Sequence, residues 1–326
     1  MSPEPSNVTS RTLLLAGAFA TCMFGVASPA AGQSNHDPAA AKLVTEDIAR
    51  FWQAFDARAA LGTAVAIDSL YFKPASPGLR DWIKLRLQNA AALAAVVDAV
   101  PQYYASARAS TLQVARDEMK IRAAFARLAV LYPDAVFSDV YFVIGRLSSG
   151  GTTARSGLLI GAEMYGRTTD SVLTRMSPWL RQVLDTVDKV PAIVSHELVH
   201  YQQRLTGGGL LANALCEGSA DFVAELMSGD NINAHLHAWV NADSTRERML
   251  WREFVRDMAV NDSKPWFSPP DVAVRPKDLG YYMGYRIAQS FYERQSDKRA
   301  AVRQILETKN AEQFLRESGY GERFPQ

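Results

Sequence analysis

The chain has 326 residues, with 35 lysines and arginines against 34 aspartates and glutamates, a formal net charge of +1. Those charges are dispersed rather than clustered, so there is no electrostatic footprint for nucleic acid and no nucleic-acid partner is expected. A hydrophobic fraction of 48% is ordinary for a globular chain long enough to bury a substantial core.

At the amino terminus, Leu13 to Val26 form an apolar run preceded by Arg11 and followed by Ala27-Ser28-Pro29-Ala30-Ala31-Gly32. This predicts a signal peptide over residues 1–32, removed on export, and a periplasmic or secreted mature protein. The run is short for a membrane-spanning helix, so no stable span is expected after processing. Cys22 offers a lipid anchor as the alternative.

Residues 33–135 read as a helical region. Leu43, Ile48, Phe51, Trp52 and Phe55 recur at helical spacing, and a second helix runs through Leu79, Trp82 and Ile83 to Val97. A third is expected over about Ser110 to Leu131, with Pro74, Pro77, Pro101 and Pro133 marking breaks. The apolar runs Val140–Ile144 and Leu158–Ile160 read as strands, with Gly150-Gly151-Thr152-Thr153 as a hairpin loop or rim and Glu163 as a surface carboxylate at a strand end. The expected class is α+β and predominantly α-helical, with residues 136–326 packed on the helical region as one unit.

The stretch Val194-Ser195-His196-Glu197-Leu198-Val199-His200 carries H-E-x-x-H within a segment that Pro191 opens and Gly207-Gly208-Gly209 closes. Histidines four apart lie on one helix face and can converge on a zinc ion, Zn2+, while Glu197 is placed to act as a general base. A third ligand is expected on the next helix, whose only charged residues are Glu217, Asp221 and Glu225; Glu217 is the candidate and Glu225 reads as surface. Cys216 reads as a small buried apolar residue. His235 and His237 sit on a helical segment where their rings diverge, which argues against a second metal site. In Gly280-Tyr281-Tyr282-Met283-Gly284-Tyr285-Arg286, Tyr285 and then Tyr281 are the candidates to support an oxyanion, with Arg286 as a competing donor.

H-E-x-x-H followed by Glu217-Gly-Ser-Ala-Asp221 resembles the gluzincin metallopeptidases. With Ile144-Gly145-Arg146, Leu158 to Glu163 and the tyrosine-glycine segment, the chain is similar to the bacterial proteins called predicted zinc-dependent proteases. The resemblance implies a zincin-like catalytic core with a small sheet beside the H-E-x-x-H helix. It also implies that Asp221 accepts a hydrogen bond from a ligand histidine. The expected function is therefore an exported zinc metallopeptidase acting on a peptide or protein substrate. Two alternatives stand beside it: a zinc hydrolase of non-peptide substrates, and a non-catalytic cell-envelope binding or scaffolding protein with a structural or vestigial zinc site. The oligomeric state is not readable from the sequence.

Overall fold

Four short strands form one sheet in the order β1-β2-β4-β3, with β1 Leu43–Val44, β2 Val140–Val143, β3 Gly151–Ala154 and β4 Gly157–Gly161. The computed structural model describes residues 35–267 and 275–324, so the leader and Cys22 lie outside the described residues. β1, β2 and β4 run parallel, while β3 pairs antiparallel with β4 at the edge. β2 and β4 are buried at every position. Successive strand residues point to opposite faces, so both faces of these two strands are covered, and their unbroken Val, Tyr, Phe, Leu and Ile runs are what that demands.

Residues 151–153, expected in a loop or rim, are strand: Thr152 pairs with Leu159 and Thr153 with Leu158. Pairing with the buried β4 outweighs the poor strand propensity of glycine. The turn into β4 needs Gly157, whose φ is +138° and where a β-carbon would overlap the carbonyl oxygen of Asp139.

The helical region comprises α1 (Glu46–Leu61), α2 (Thr63–Ile67), α3 (Pro77–Trp82), α4 (Ala90–Ala99), α5 (Pro101–Thr111) and α6 (Glu118–Leu131). Local chemistry sets its joints. Ser76 and Asn89 accept hydrogen bonds from Leu79 N and Ala92 N, capping α3 and α4, and Pro101 opens α5. The single helix expected over 110–131 is split by a tight 3-10 turn over Val114–Asp117.

After the sheet come α7 (Pro178–Val183), α8 (Val190–Gln202), α9 (Leu210–Ser228), α10 (Ala234–Asn241), α11 (Arg246–Ala259), α12 (Lys264–Phe267), α13 (Leu279–Arg294), α14 (Lys298–Glu307) and α15 (Ala311–Ser318). The described residues thus make an α+β fold that is predominantly α-helical. None of its helices is long and apolar enough to cross a membrane.

Strand register fixes where α8 sits. Gly151, Ile160 and Phe142 are cross-strand partners and share one face of the sheet, and Gly151 lies against Glu197 of α8. Tyr141 and Leu159 belong to the other face, where Gly78 of α3 packs on the Tyr141 ring. On its other side α8 meets α9, and α9 is crossed closely by α13. That crossing is backbone to backbone: a β-carbon on Gly284 would overlap the carbonyl oxygen of Ala214, and one on Gly218 would overlap the backbone nitrogen of Tyr285. The tyrosine-glycine segment therefore owes Gly284 to helix packing.

Candidate metal centre

α8 is buried at every position from Val190 to Val199, and α9 is buried almost throughout from Leu210 to Ala224. Side chains on their facing surfaces are held in a dry interior, where polar groups must find partners. His196, Glu217 and Asp221 are 4%, 5% and 2% exposed, so each needs such a partner.

His196, His200 and Glu217 are brought together. His196 Nε2 and His200 Nε2 lie 2.9 Å apart, and Glu217 Oε2 is 3.4 Å from the first and 3.3 Å from the second. The other ring nitrogens are occupied. His196 Nδ1 is 2.8 Å from Asp221 Oδ1, whose second oxygen accepts from Asn233 Nδ2 at 2.8 Å. His200 Nδ1 is 2.8 Å from Gln203 Oε1. An imidazole donating from Nδ1 presents a lone pair at Nε2. As neutral rings the two histidines set their lone pairs and a carboxylate oxygen against one another, an arrangement that a cation or a bound proton relieves.

The electrostatics carry the same mark. Burial pulls His196 down, but its hydrogen bonds to Asp221 and Glu217 prevail and push it up to about 10. His200 is also raised, because the Glu217 charge outweighs burial. Burial would raise Glu217, yet the two histidines hold it well below the usual carboxylate range. A proton and a metal ion respond to the same negative potential and compete for the same atoms.

The donor set fits zinc. Two imidazole nitrogens and a carboxylate oxygen are ordinary zinc ligands, and ligands about 2.0–2.1 Å from a tetrahedral ion lie about 3.3 Å from each other, close to both Glu217 distances. These three residues group as potential metal ligands among the described residues; His235 and His237 do not join them. His237 instead packs edge-on against Tyr282 and Tyr285.

The remaining candidates separate. Glu197 is buried, with its acidity weakened by burial, and its carboxylate lies against Gly151, where a β-carbon would come within 2.7 Å of Glu197 Cγ. Tyr281 stacks on His196 with ring centroids 6.2 Å apart and hydrogen-bonds Glu217. Tyr285 is elsewhere: its hydroxyl donates to Glu225 Oε2 at 2.9 Å. Glu225, expected on the surface, is half-buried and also accepts from Asn231 Nδ2 at 3.0 Å. Arg286 is engaged by Glu247 at 2.8 Å.

Two further carboxyl groups were not legible. Glu163, expected at the surface, is fully buried; it accepts backbone N–H bonds from Gly145 at 2.7 Å and Leu147 at 3.2 Å, pinning the turn after β2. Burial pushes it up to about 7 despite those bonds. Asp278, 8% exposed, opens α13 with φ +62° and is likewise pushed up to about 7, first by burial. The left-handed backbone at Asp278 has no signature in a motif, and only the turn-forming nature of aspartate hints at it.

The class defined by these observations is a helical α+β protein with a buried two-histidine, one-glutamate cluster between α8 and α9. The family described as gliding motility protein GldB matches residues 89–322, well over half of the chain, and the chain belongs to that family. No curated protein and no solved structure matches.

This membership corrects the sequence reading. The chain is not placed among the gluzincin metallopeptidases, and the expected peptidase activity is overturned with it. The reason is physical. H-E-x-x-H with a downstream glutamate specifies how ligands converge, and that convergence serves an ion that holds a fold together as well as one that drives hydrolysis.

Proposed function

We propose that this protein is a non-catalytic component of the cell envelope that acts in gliding motility through contacts with other proteins. The family match over residues 89–322 carries this reading. In it, a zinc ion bound by His196, His200 and Glu217 is structural and ties α8 to α9. What supports the ion is the convergence of two imidazole nitrogens and a carboxylate oxygen within 3.4 Å of one another, with the second nitrogen of each ring held by Asp221 or Gln203. The sheet with α8 against it is then a zincin-like scaffold kept for its packing. Envelope placement follows from the lipoprotein label that the family carries, and a lipid on Cys22 is the proposed means of attachment.

The test is replacement of the chromosomal gene by Glu197→Gln and, separately, by Glu217→Ala. A structural ion needs no general base, so Glu197→Gln is expected to spread over a surface as the wild type does. Glu217→Ala is expected to lower the amount of folded protein and spreading together. Loss of spreading in Glu197→Gln at normal protein level would overturn the non-catalytic reading.

A further inference from the structure

We infer that Gln203 is the positioning residue that fixes the tautomer and orientation of His200, and that it does so by anchoring its amide on α9, the helix that carries the opposing ligand. The inference rests on the metal-centre reading above and deepens it.

Gln203 is the first residue after α8, where the backbone leaves the helix with ψ at 141°. It is 7% exposed, so its amide must be satisfied within the protein. An amide has one acceptor and one donor end, and its surroundings decide which end points where. Gln203 Nε2 donates to the Cys216 carbonyl oxygen at 2.7 Å and to Ser219 Oγ at 3.0 Å. A backbone carbonyl can only accept, so the nitrogen must face α9. Oε1 is therefore left facing His200 Nδ1 at 2.8 Å.

An acceptor at that point requires a proton on His200 Nδ1 and leaves Nε2 with its lone pair toward Glu217 and His196. Cys216 and Ser219 bracket Glu217 in the sequence. The amide thus reads the position of the very turn of α9 that supplies the third ligand. His196 is held in parallel by Asp221, also on α9. Both histidines of α8 are oriented by groups keyed to α9, one through a carboxylate and one through a neutral amide. The neutral partner limits the negative charge in a site that already holds Glu217 and Asp221.

The test is zinc affinity of the full chain, measured by competition with a chromophoric chelator, together with the visible absorption of the cobalt(II)-substituted protein. Gln203→Met keeps the length of the side chain and removes both hydrogen-bonding ends. It is expected to weaken zinc binding by about 10- to 100-fold and to change the cobalt spectrum. Gln203→Glu keeps an acceptor toward His200 and is expected to retain more affinity than Gln203→Met; a merely structural amide would make the two equally weak. Ser219→Ala loosens the amide without touching His200 and is expected to cost a few-fold, which keeps the test open where Gln203→Met fails to fold. Zinc affinity and cobalt spectrum unchanged in Gln203→Met would overturn the role of Gln203 alone. Wild-type protein that takes up no zinc would instead overturn the metal centre.

Discussion

Gly284 of α13 rests on Gly218 of α9, so that a β-carbon at Gly284 would lie 3.1 Å from the Gly218 α-carbon as well as overlapping the Ala214 carbonyl. Gly218 follows Glu217, and Tyr281, one turn before Gly284, hydrogen-bonds that glutamate. The crossing therefore sets both the spacing of two helices and the surroundings of Glu217. Gly284→Ala gains about 1 kcal/mol of helix propensity but must force two backbones apart, at about 1–3 kcal/mol or more. A net loss of stability is expected in urea unfolding. A midpoint equal to the wild type would show that the helices separate freely.

Zinc should stabilise the wild type in proportion to the logarithm of its concentration, with about 2.7 kcal/mol at a hundredfold excess over the dissociation constant. Thermal melts with and without a chelator check this. His196→Ala and Glu217→Ala should lose the zinc-dependent part of the shift, and a shift that survives in both would place the ion at another site.

The two tyrosines should behave differently. Tyr281→Phe removes a hydrogen bond to Glu217 and is expected to lower zinc affinity a few-fold. Tyr285→Phe removes the bond to Glu225, costing about 1–2 kcal/mol of stability, with zinc affinity unchanged. Isothermal titration of both variants separates the roles, and equal affinities for zinc would remove Tyr281 from the site's surroundings.

Glu163 makes stability depend on pH in a stated direction. Its carboxyl is raised from 4.5 to about 7 on folding, so the native state binds the proton more tightly than the unfolded state does. Its contribution is greatest below pH 4.5 and falls as pH rises toward 7, by roughly 3 kcal/mol across the window. Asp278 titrates in the same direction, so the difference between wild type and Glu163→Gln at each pH isolates Glu163. That difference should move against the wild type from pH 4.5 to 7. A constant difference would mean that Glu163 titrates as an exposed carboxyl does.

Much of this was legible because periodicity and turn chemistry are local. The helices around Phe51 and Trp82, the strands at Val140 and Leu158, and the helices carrying His196 and Glu217 follow from apolar spacing and from Pro, Ser and Asn at their ends. The convergence of His196, His200 and Glu217 follows from one helix repeat and a short connection. Tertiary relations were not legible. Nothing near Glu163 reveals that two amides of the turn after β2 point toward it, and nothing near Tyr285 reveals Glu225. Glycines 218 and 284 look like weak points in their helices until the crossing shows what they admit. The chemistry was misread for a different reason: ligand spacing encodes where an ion sits, whereas the work done there depends on what else reaches it.

β1 consists of Leu43 and Val44, and it pairs with Val140 and Tyr141 of β2. The family match begins at residue 89, beyond both β1 and α1, which also packs on β2. A chain cut at the family boundary would bare the hydrogen-bonding edge and part of one face of a strand built from valine, tyrosine and phenylalanine. Such an edge recruits other strands, so that fragment would be expected to aggregate where the longer chain stays folded.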